Sequence, residues 1–136
     1  MNNISEHITY DEAIFSDSGL RHNISNVPDS DTLDNMKEVA LNCFEPLRKW
    51  YGKPIHVNSF FRCKELNTIL KGAASSQHVT GEAIDISAGD KEENEKLFNW
   101  CKANLIFDQL INEYNFSWVH ISYRADRNRK QIVIVK

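Results

Sequence analysis

Two short segments carry the residues most able to do chemistry: Ser76-Gln77-His78-Val79-Thr80-Gly81-Glu82-Ala83-Ile84-Asp85 and Trp118-Val119-His120-Ile121-Ser122. Between them they offer two imidazoles, His78 and His120, and one carboxylate, Asp85. Three such ligands are the set of a catalytic zinc site, in which a fourth position is left for water. The strand period of two puts Ile84 and Ile86 on one face and Ala83 and Asp85 on the other. In the second segment Val119 and Ile121 share one face, and Trp118, His120 and Ser122 share the opposite one. Each strand thus has an aliphatic back and a metal-capable front. Gly81 can take positive φ without steric cost, so the chain can turn between a loop bearing His78 and a strand bearing Asp85. His7, His22 and His56 lack such company and read as ordinary surface or core residues.

These residues also carry a resemblance. The pattern Ser-x-His-x-x-Gly-x-Ala-x-Asp, followed by Trp-x-His-x-Ser, resembles that of the zinc D-Ala-D-Ala carboxypeptidases and related phage endolysins, the M15 peptidases. Val57-Asn58-Ser59-Phe60-Phe61-Arg62 is similar to the strand of that family ending in Ser-x-x-Arg. Leu66-Asn67, Glu45-Pro46-Leu47-Arg48, Tyr51-Gly52-Lys53-Pro54-Ile55, Thr9-Tyr10-Asp11-Glu12 and Asn26-Val27-Pro28 extend the likeness over nearly the whole chain. The resemblance implies a zinc cofactor held by His78, Asp85 and His120. It further implies cleavage of peptidoglycan stem peptides, as a carboxypeptidase or an endolysin-type endopeptidase.

A hydrolase of this kind needs a general base. Several relatives place an acidic residue three positions before the last histidine, where this chain has Ser117, which cannot serve as a base unaided. Glu113, at the end of the Gln109-Leu110-Ile111-Asn112 run, becomes the candidate, provided that a tight turn through Tyr114-Asn115-Phe116 returns it beside His120. Glu82 is the fallback, and its alternation with Ala83 and Asp85 points it away from the metal face. Arg62 matches the family's arginine, suited to gripping a carboxylate or a developing oxyanion; its rival role is an ion pair with Asp85 or Glu65. Ser76 and Gln77 are placed to orient His78. Trp118 reads as a wall of the cleft, with Ser122 and Tyr123 as further candidates for substrate contact.

The elements that must position these groups follow from pattern. Thr9 and Glu12 form a capping box that opens a short helix over Asp11 to Phe15. Residues 16–31, rich in Ser, Asp and Asn, read as an irregular arm. Apolar residues from Leu33 to Leu47 recur at helical spacing, giving a long helix from about Thr32 to Tyr51, with Pro46 kinking or splitting it. A strand is expected near Ile55 to Phe60, a short helix over Lys64 to Leu70, and a helix starting at Asp90 and running past Cys101. Further strands are expected at Phe107 to Asn112, Trp118 to Tyr123 and Gln131 to Val135, the last two joined as a hairpin. This is an α+β domain: a small antiparallel sheet flanked by helices, of the DD-peptidase/hedgehog-like type by resemblance.

With 136 residues the chain reads as a single zinc peptidase domain. The hydrophobic fraction of 41% and charged fraction of 26% are those of a soluble globular protein. A net charge of −3 argues against a nucleic-acid partner. The basic residues Arg124, Arg127, Arg129 and Lys130, interrupted by Asp126, read as a solvated hairpin loop, with contact to an anionic polymer as the lesser reading. The cysteines Cys43, Cys63 and Cys101 lack metal spacing, and Cys43 and Cys101 fall on helical apolar faces as small hydrophobes. They suit a reducing compartment. No signal peptide or bilayer-spanning run is visible, so the expectation is a monomer made in the cytoplasm that reaches a cell wall only after release, as an endolysin does. The rival from another class is a non-catalytic zinc-binding module of the same fold, such as a phage structural component.

Overall fold

The capping box at Thr9 forms as expected: the Thr9 hydroxyl accepts the Glu12 N–H, the Glu12 carboxylate accepts the Thr9 N–H at 2.7 Å, and helix α1 runs Tyr10–Ile14. The computed structural model describes residues 3–136. Polar residues make the next segment more ordered than its composition predicts. Ser16 caps a second helix, α2 (Asp17–Arg21), and Asp29 caps α3 (Ser30–Val39). The irregular arm is therefore shorter than expected. Ser and Asp stand here as N-caps, where their side-chain oxygens satisfy orphan backbone N–H groups.

Pro46 does not break the long helix. It lacks the N–H that would bond one turn back, and the chain widens ahead of it into a π-turn over Ala40–Phe44, in which the Glu45 N–H donates to the Ala40 carbonyl. Helix α4 (Glu45–Tyr51) continues from there and ends at Gly52, left-handed at φ 73°. The remaining elements are β1 (His56–Ser59), α5 (Lys64–Ile69), β2 (Ala83–Ser87), α6 (Lys91–Asn104), β3 (Gln109–Glu113), β4 (Trp118–Ser122) and β5 (Gln131–Val135). Asp90 caps α6 by accepting the Glu93 N–H.

The strands form one sheet in the order β1-β2-β4-β3-β5. Pairings β1–β2, β2–β4 and β3–β4 are antiparallel. The domain is α+β, but one expected pairing fails. Strand β5 does not return beside β4 as a hairpin; it lies parallel to β3 at the far edge, with Ile111 opposite Val133. Residues 123–130 therefore pass across the end of β3. Lys130 N–H donates to the Phe107 carbonyl and Gln131 N–H to that of Asp108, which fixes the entry to β5.

Alternation divides the sheet cleanly. Ile84, Ile86, Leu110, Val119 and Ile121 are buried on one face with Met36, Val39, Cys43, Phe44, Leu47, Leu97 and Cys101 from the helices. Each such side chain contributes about 1.5–3 kcal/mol on burial. Cys43 and Cys101 sit in this core as free thiols, and burial pushes the Cys43 thiol up to about 12. Among the described residues no helix is long and apolar enough to cross a membrane.

Gly81 lies where the loop before β2 crosses α3. It has φ +77°, and a Cβ there would stand 2.7 Å from the Thr32 carbonyl oxygen and 2.8 Å from Met36 Cγ. Gly81→Ala is expected to destabilise the fold by about 2–4 kcal/mol, from left-handed strain together with overpacking. Urea denaturation measures this, and an unchanged midpoint would show that the loop accommodates a side chain.

Candidate metal centre

Register builds the site. Asp85 on β2 lies directly opposite His120 on β4, and such cross-strand neighbours have Cβ atoms about 4.5–5.5 Å apart. Their side chains meet, with His120 Nδ1 2.9 Å from Asp85 Oδ1. The other Asp85 oxygen is 3.1 Å from His78 Nε2. One ligand atom from each of the three residues lies within 4.8 Å of the others. All are largely enclosed: His78 is 2% exposed and His120 9%.

His78 reaches this point from a tight loop. Val79 N–H donates to the Ser76 carbonyl, Gly81 N–H to that of His78, and Glu82 N–H to that of Gln77. The imidazole Nδ1 lies 2.7 Å from the Phe60 carbonyl oxygen. A carbonyl only accepts, so Nδ1 carries a proton, and Nε2 is the ring atom turned to the cluster. Burial alone would raise the Asp85 carboxyl, but the charge and hydrogen bonds of His78 and His120 outweigh it and hold the group well below the usual carboxylate range.

The donor set fits a small tetrahedral cation. Two imidazole nitrogens and a carboxylate oxygen suit zinc, and bonds of about 2.0–2.1 Å would set ligand atoms roughly 3.3 Å apart, close to the observed spacings. The backbone-anchored His78 is the kind of support that fixes a ligand's tautomer.

Around the cluster opens a cleft of about 850 Å³ that also takes in Arg62, Glu113 and Trp118. Glu113 lies on the same face as His120 because Ile111 pairs with His120 and Glu113 with Trp118. The turn that returns β3 to β4 is unusual. Tyr114, Asn115 and Phe116 all have positive φ, at 52°, 55° and 60°, each costing on the order of 1–2 kcal/mol. Side chains hold it: Asn112 Oδ1 accepts the Phe116 N–H at 2.6 Å, and Asn94 donates to the Phe116 and Ser117 carbonyls. Ser117, where relatives place an acid, donates its hydroxyl to the Tyr114 carbonyl. Burial, followed by the neighbouring Asp85 charge, raises the Glu113 carboxyl above its ordinary value. The Trp118 indole N–H stands beside that carboxylate without completing a hydrogen bond. Glu82 lies off the cleft, accepting the Thr80 hydroxyl.

Arg62 makes no ion pair with Asp85 or Glu65. Its Nη2 reaches Ser76 Oγ at 3.4 Å, and its buried Nε has no acceptor among the described residues. Burial lowers its pKa, whereas Asp85 and Glu113 pull it up. Asn26 braces the segment around it, donating to the Ile14 and Phe61 carbonyls and accepting the Cys63 N–H. Of the other expected contacts, Ser122 is buried and accepts the Gln109 N–H, outside the cleft, and Tyr123 does not line it. His7 pairs with Glu45, and His22 bonds the Ser18 carbonyl.

One group escaped the sequence reading altogether. Asp108 is fully buried and accepts from Arg129 Nε and Nη2 at 2.9 and 2.8 Å and from Gln77 Nε2 at 3.0 Å. It therefore joins the residue before His78 to the segment leading into β5. The signal was there: a lone acid inside an apolar strand pattern, in a chain whose next polar segment is rich in arginine. The Arg129 guanidinium chiefly holds the Asp108 carboxyl well below the usual carboxylate range. Such a depressed group stabilises the fold above its unfolded pKa, and that stability is lost as pH falls through the folded one. Asp108→Asn should cost on the order of 2 kcal/mol at pH 7, less than for a fully enclosed pair because Arg129 is half exposed. The gap to wild type should narrow as pH falls below 3.8. Thermal unfolding at pH 7 and pH 3 measures it, and a gap that widens in acid would contradict the assignment.

A family model described as Peptidase M15 matches residues 6–122. The matched span includes Arg62, His78, Asp85, Glu113 and His120. No curated protein matches the chain.

Proposed function

This chain belongs to the Peptidase M15 family, and from that premise we propose that it is a zinc-dependent metallopeptidase cutting peptidoglycan stem peptides, with a D-amino acid on at least one side of the scissile bond. The observation that carries the reading is the presence of Glu113 in the same cleft as His78, Asp85 and His120. A non-catalytic metal module has no need of a half-buried carboxylate held there by a strained turn.

His78 through Nε2, Asp85 through its carboxylate and His120 through Nδ1 would hold the zinc. When bound, the ion supplies Lewis acidity that polarises a carbonyl and lowers the pKa of water. Glu113 then takes a proton from the attacking water and returns it to the leaving amine nitrogen. Its raised pKa moves it toward the range in which a carboxylate both accepts and gives up a proton near neutrality. Arg62 presents an unsatisfied guanidinium N–H for the developing oxyanion or a substrate carboxylate. Trp118 and Tyr114, packed edge to face at 5.2 Å, wall the cleft beside Glu113. The substrate class comes from the family, and the cleft is roomy enough for either a terminal or an internal cut.

His78→Ala, Asp85→Ala and His120→Ala are each expected to abolish tight zinc binding. Metal analysis of the purified variants decides this, and stoichiometric zinc in all three would remove the ligand assignment.

Glu113→Gln should keep zinc content and thermal stability while lowering hydrolysis of purified peptidoglycan by about 10²-fold or more. Arg62→Lys, assayed alongside, should keep the metal and lose most activity, because lysine lacks the planar fork. Full activity in Glu113→Gln with a dead Glu82→Gln would move the base to Glu82. A zinc-loaded wild type that cleaves no wall peptide would favour the non-catalytic module.

A further inference from the structure

The basic residues after β4 are at least partly solvent-exposed, as expected, but they sit on a crossing segment rather than a hairpin loop. Arg124, Arg127 and Arg129 line the same cleft as the metal cluster, together with Arg62. The chain carries a net charge of −3, so this positive wall is a local feature. Two of its members have other work: Arg62 faces the scissile region beside Asp85 and Glu113, and Arg129 grips Asp108.

Arg124 and Arg127 are left over. Arg127 is exposed and makes no ion pair among the described residues. Arg124 forms a long ion pair with Glu82, whose Oε2 stands 3.9 Å from the buried Nε and makes no hydrogen bond to it, while 38% of the Arg124 side chain stays exposed. An anion in the cleft would give the exposed parts of both guanidinium groups the charge-assisted hydrogen bonds that no side chain among the described residues supplies.

The segment presenting these side chains is fixed at both ends. The Asn128 side chain accepts the Arg124 N–H and donates to the Arg124 carbonyl, both at 2.9 Å, closing the turn. Arg129 then anchors it to the buried Asp108. The segment also lies beyond residues 6–122, the span matched by the family model. It is supplied by this chain's own C-terminal stretch.

We propose that Arg124 and Arg127 form an anion subsite that takes a second carboxylate of the substrate, remote from the scissile bond, so that the preferred substrates are acidic peptides. This rests on the reading of the cleft as a peptidase site. The guanidinium forks match a planar carboxylate, and of the two acids lining the cleft Asp85 is held by the histidines while Glu113 makes no ion pair with Arg124 or Arg127.

The test compares the pentapeptide L-Ala-γ-D-Glu-L-Lys-D-Ala-D-Ala with the same peptide amidated at the glutamyl α-carboxylate. Affinities are read by calorimetry on the full zinc-loaded chain carrying Glu113→Gln, with peptide integrity checked afterwards by mass spectrometry. The acid should bind about tenfold or more tightly than the amide, the scale of a charge-assisted hydrogen bond. Adding Arg124→Gln and Arg127→Gln should erase that preference while leaving the affinity for the amide unchanged. Equal affinities before those substitutions, or a preference that survives them, overturns the proposal. Glycerol phosphate competing as well as the acidic peptide also overturns it, reassigning the subsite to a phosphate polymer. Wild-type protein that cleaves neither peptide, with the acid preference intact, would remove the peptidase reading and leave the subsite standing. Equal cleavage of both peptides with no binding preference would do the reverse.

Discussion

The pairing of Asp85 with His120 across β2 and β4 is the constraint on which the rest of the site depends. Side chains alternate along a strand, so a slip of one residue in either strand would turn its candidate ligand into the apolar core and bring its own aliphatic pair, Ile84 and Ile86 or Val119 and Ile121, out to water. The aliphatic back of the sheet and its metal-capable front therefore specify the same register. Burying the four aliphatic residues against the helices holds two ligands together before any ion binds.

The third ligand and the second-rank residues come from loops, and loops need their own fastenings. His78 is held through its Nδ1 on the Phe60 carbonyl, and its loop is pinned to α3 by Asn35 donating to the Thr80 carbonyl. Asn26 braces the chain around Arg62, Asn67 ties the loop ahead of Ser76 by donating to the Ala73 carbonyl, and Asn94 supports the turn after Glu113. Carboxamides suit this work because one side chain can both donate and accept. Asp108 acts similarly with charge, joining Gln77 to Arg129.

Strain and placement go together at the β3–β4 turn. Three successive left-handed residues are unfavourable, and they persist because Asn94, Asn112 and Ser117 satisfy the turn's backbone groups. The result sets Glu113 at the last position of β3, on the cleft face and next to the ligand strand. The same economy of a short sheet puts the metal cluster and the arginine-bearing segment on one side, since residues 123–130 must cross the end of β3 to reach the far edge.

The sequence by itself determined the local and periodic features. Alternation placed Asp85 and His120 on polar faces, Thr9 and Glu12 declared a helix start, and His78, Asp85 and His120 stood out as a candidate ligand set, which the fold gathers within 4.8 Å. Glu113 was reachable by reasoning about where a turn would bring it. These readings rest on short-range geometry, which neighbouring residues dictate. What only the tertiary structure decided was long-range partnership. Nothing local shows that both edges of β4 are already taken, by β2 and β3, so that β5 must pass to the free edge of β3 and run parallel with it; Asp108, holding Arg129 from 21 residues away, fixes the entry to that strand. Nor does local pattern reveal that Ser16 and Asp29 cap helices within a run of loop-like residues. The arginines after β4 read as solvated, and Arg127 and Arg129 are exposed, but local pattern does not say which surface they border. They line the cleft because the crossing segment has nowhere else to lie.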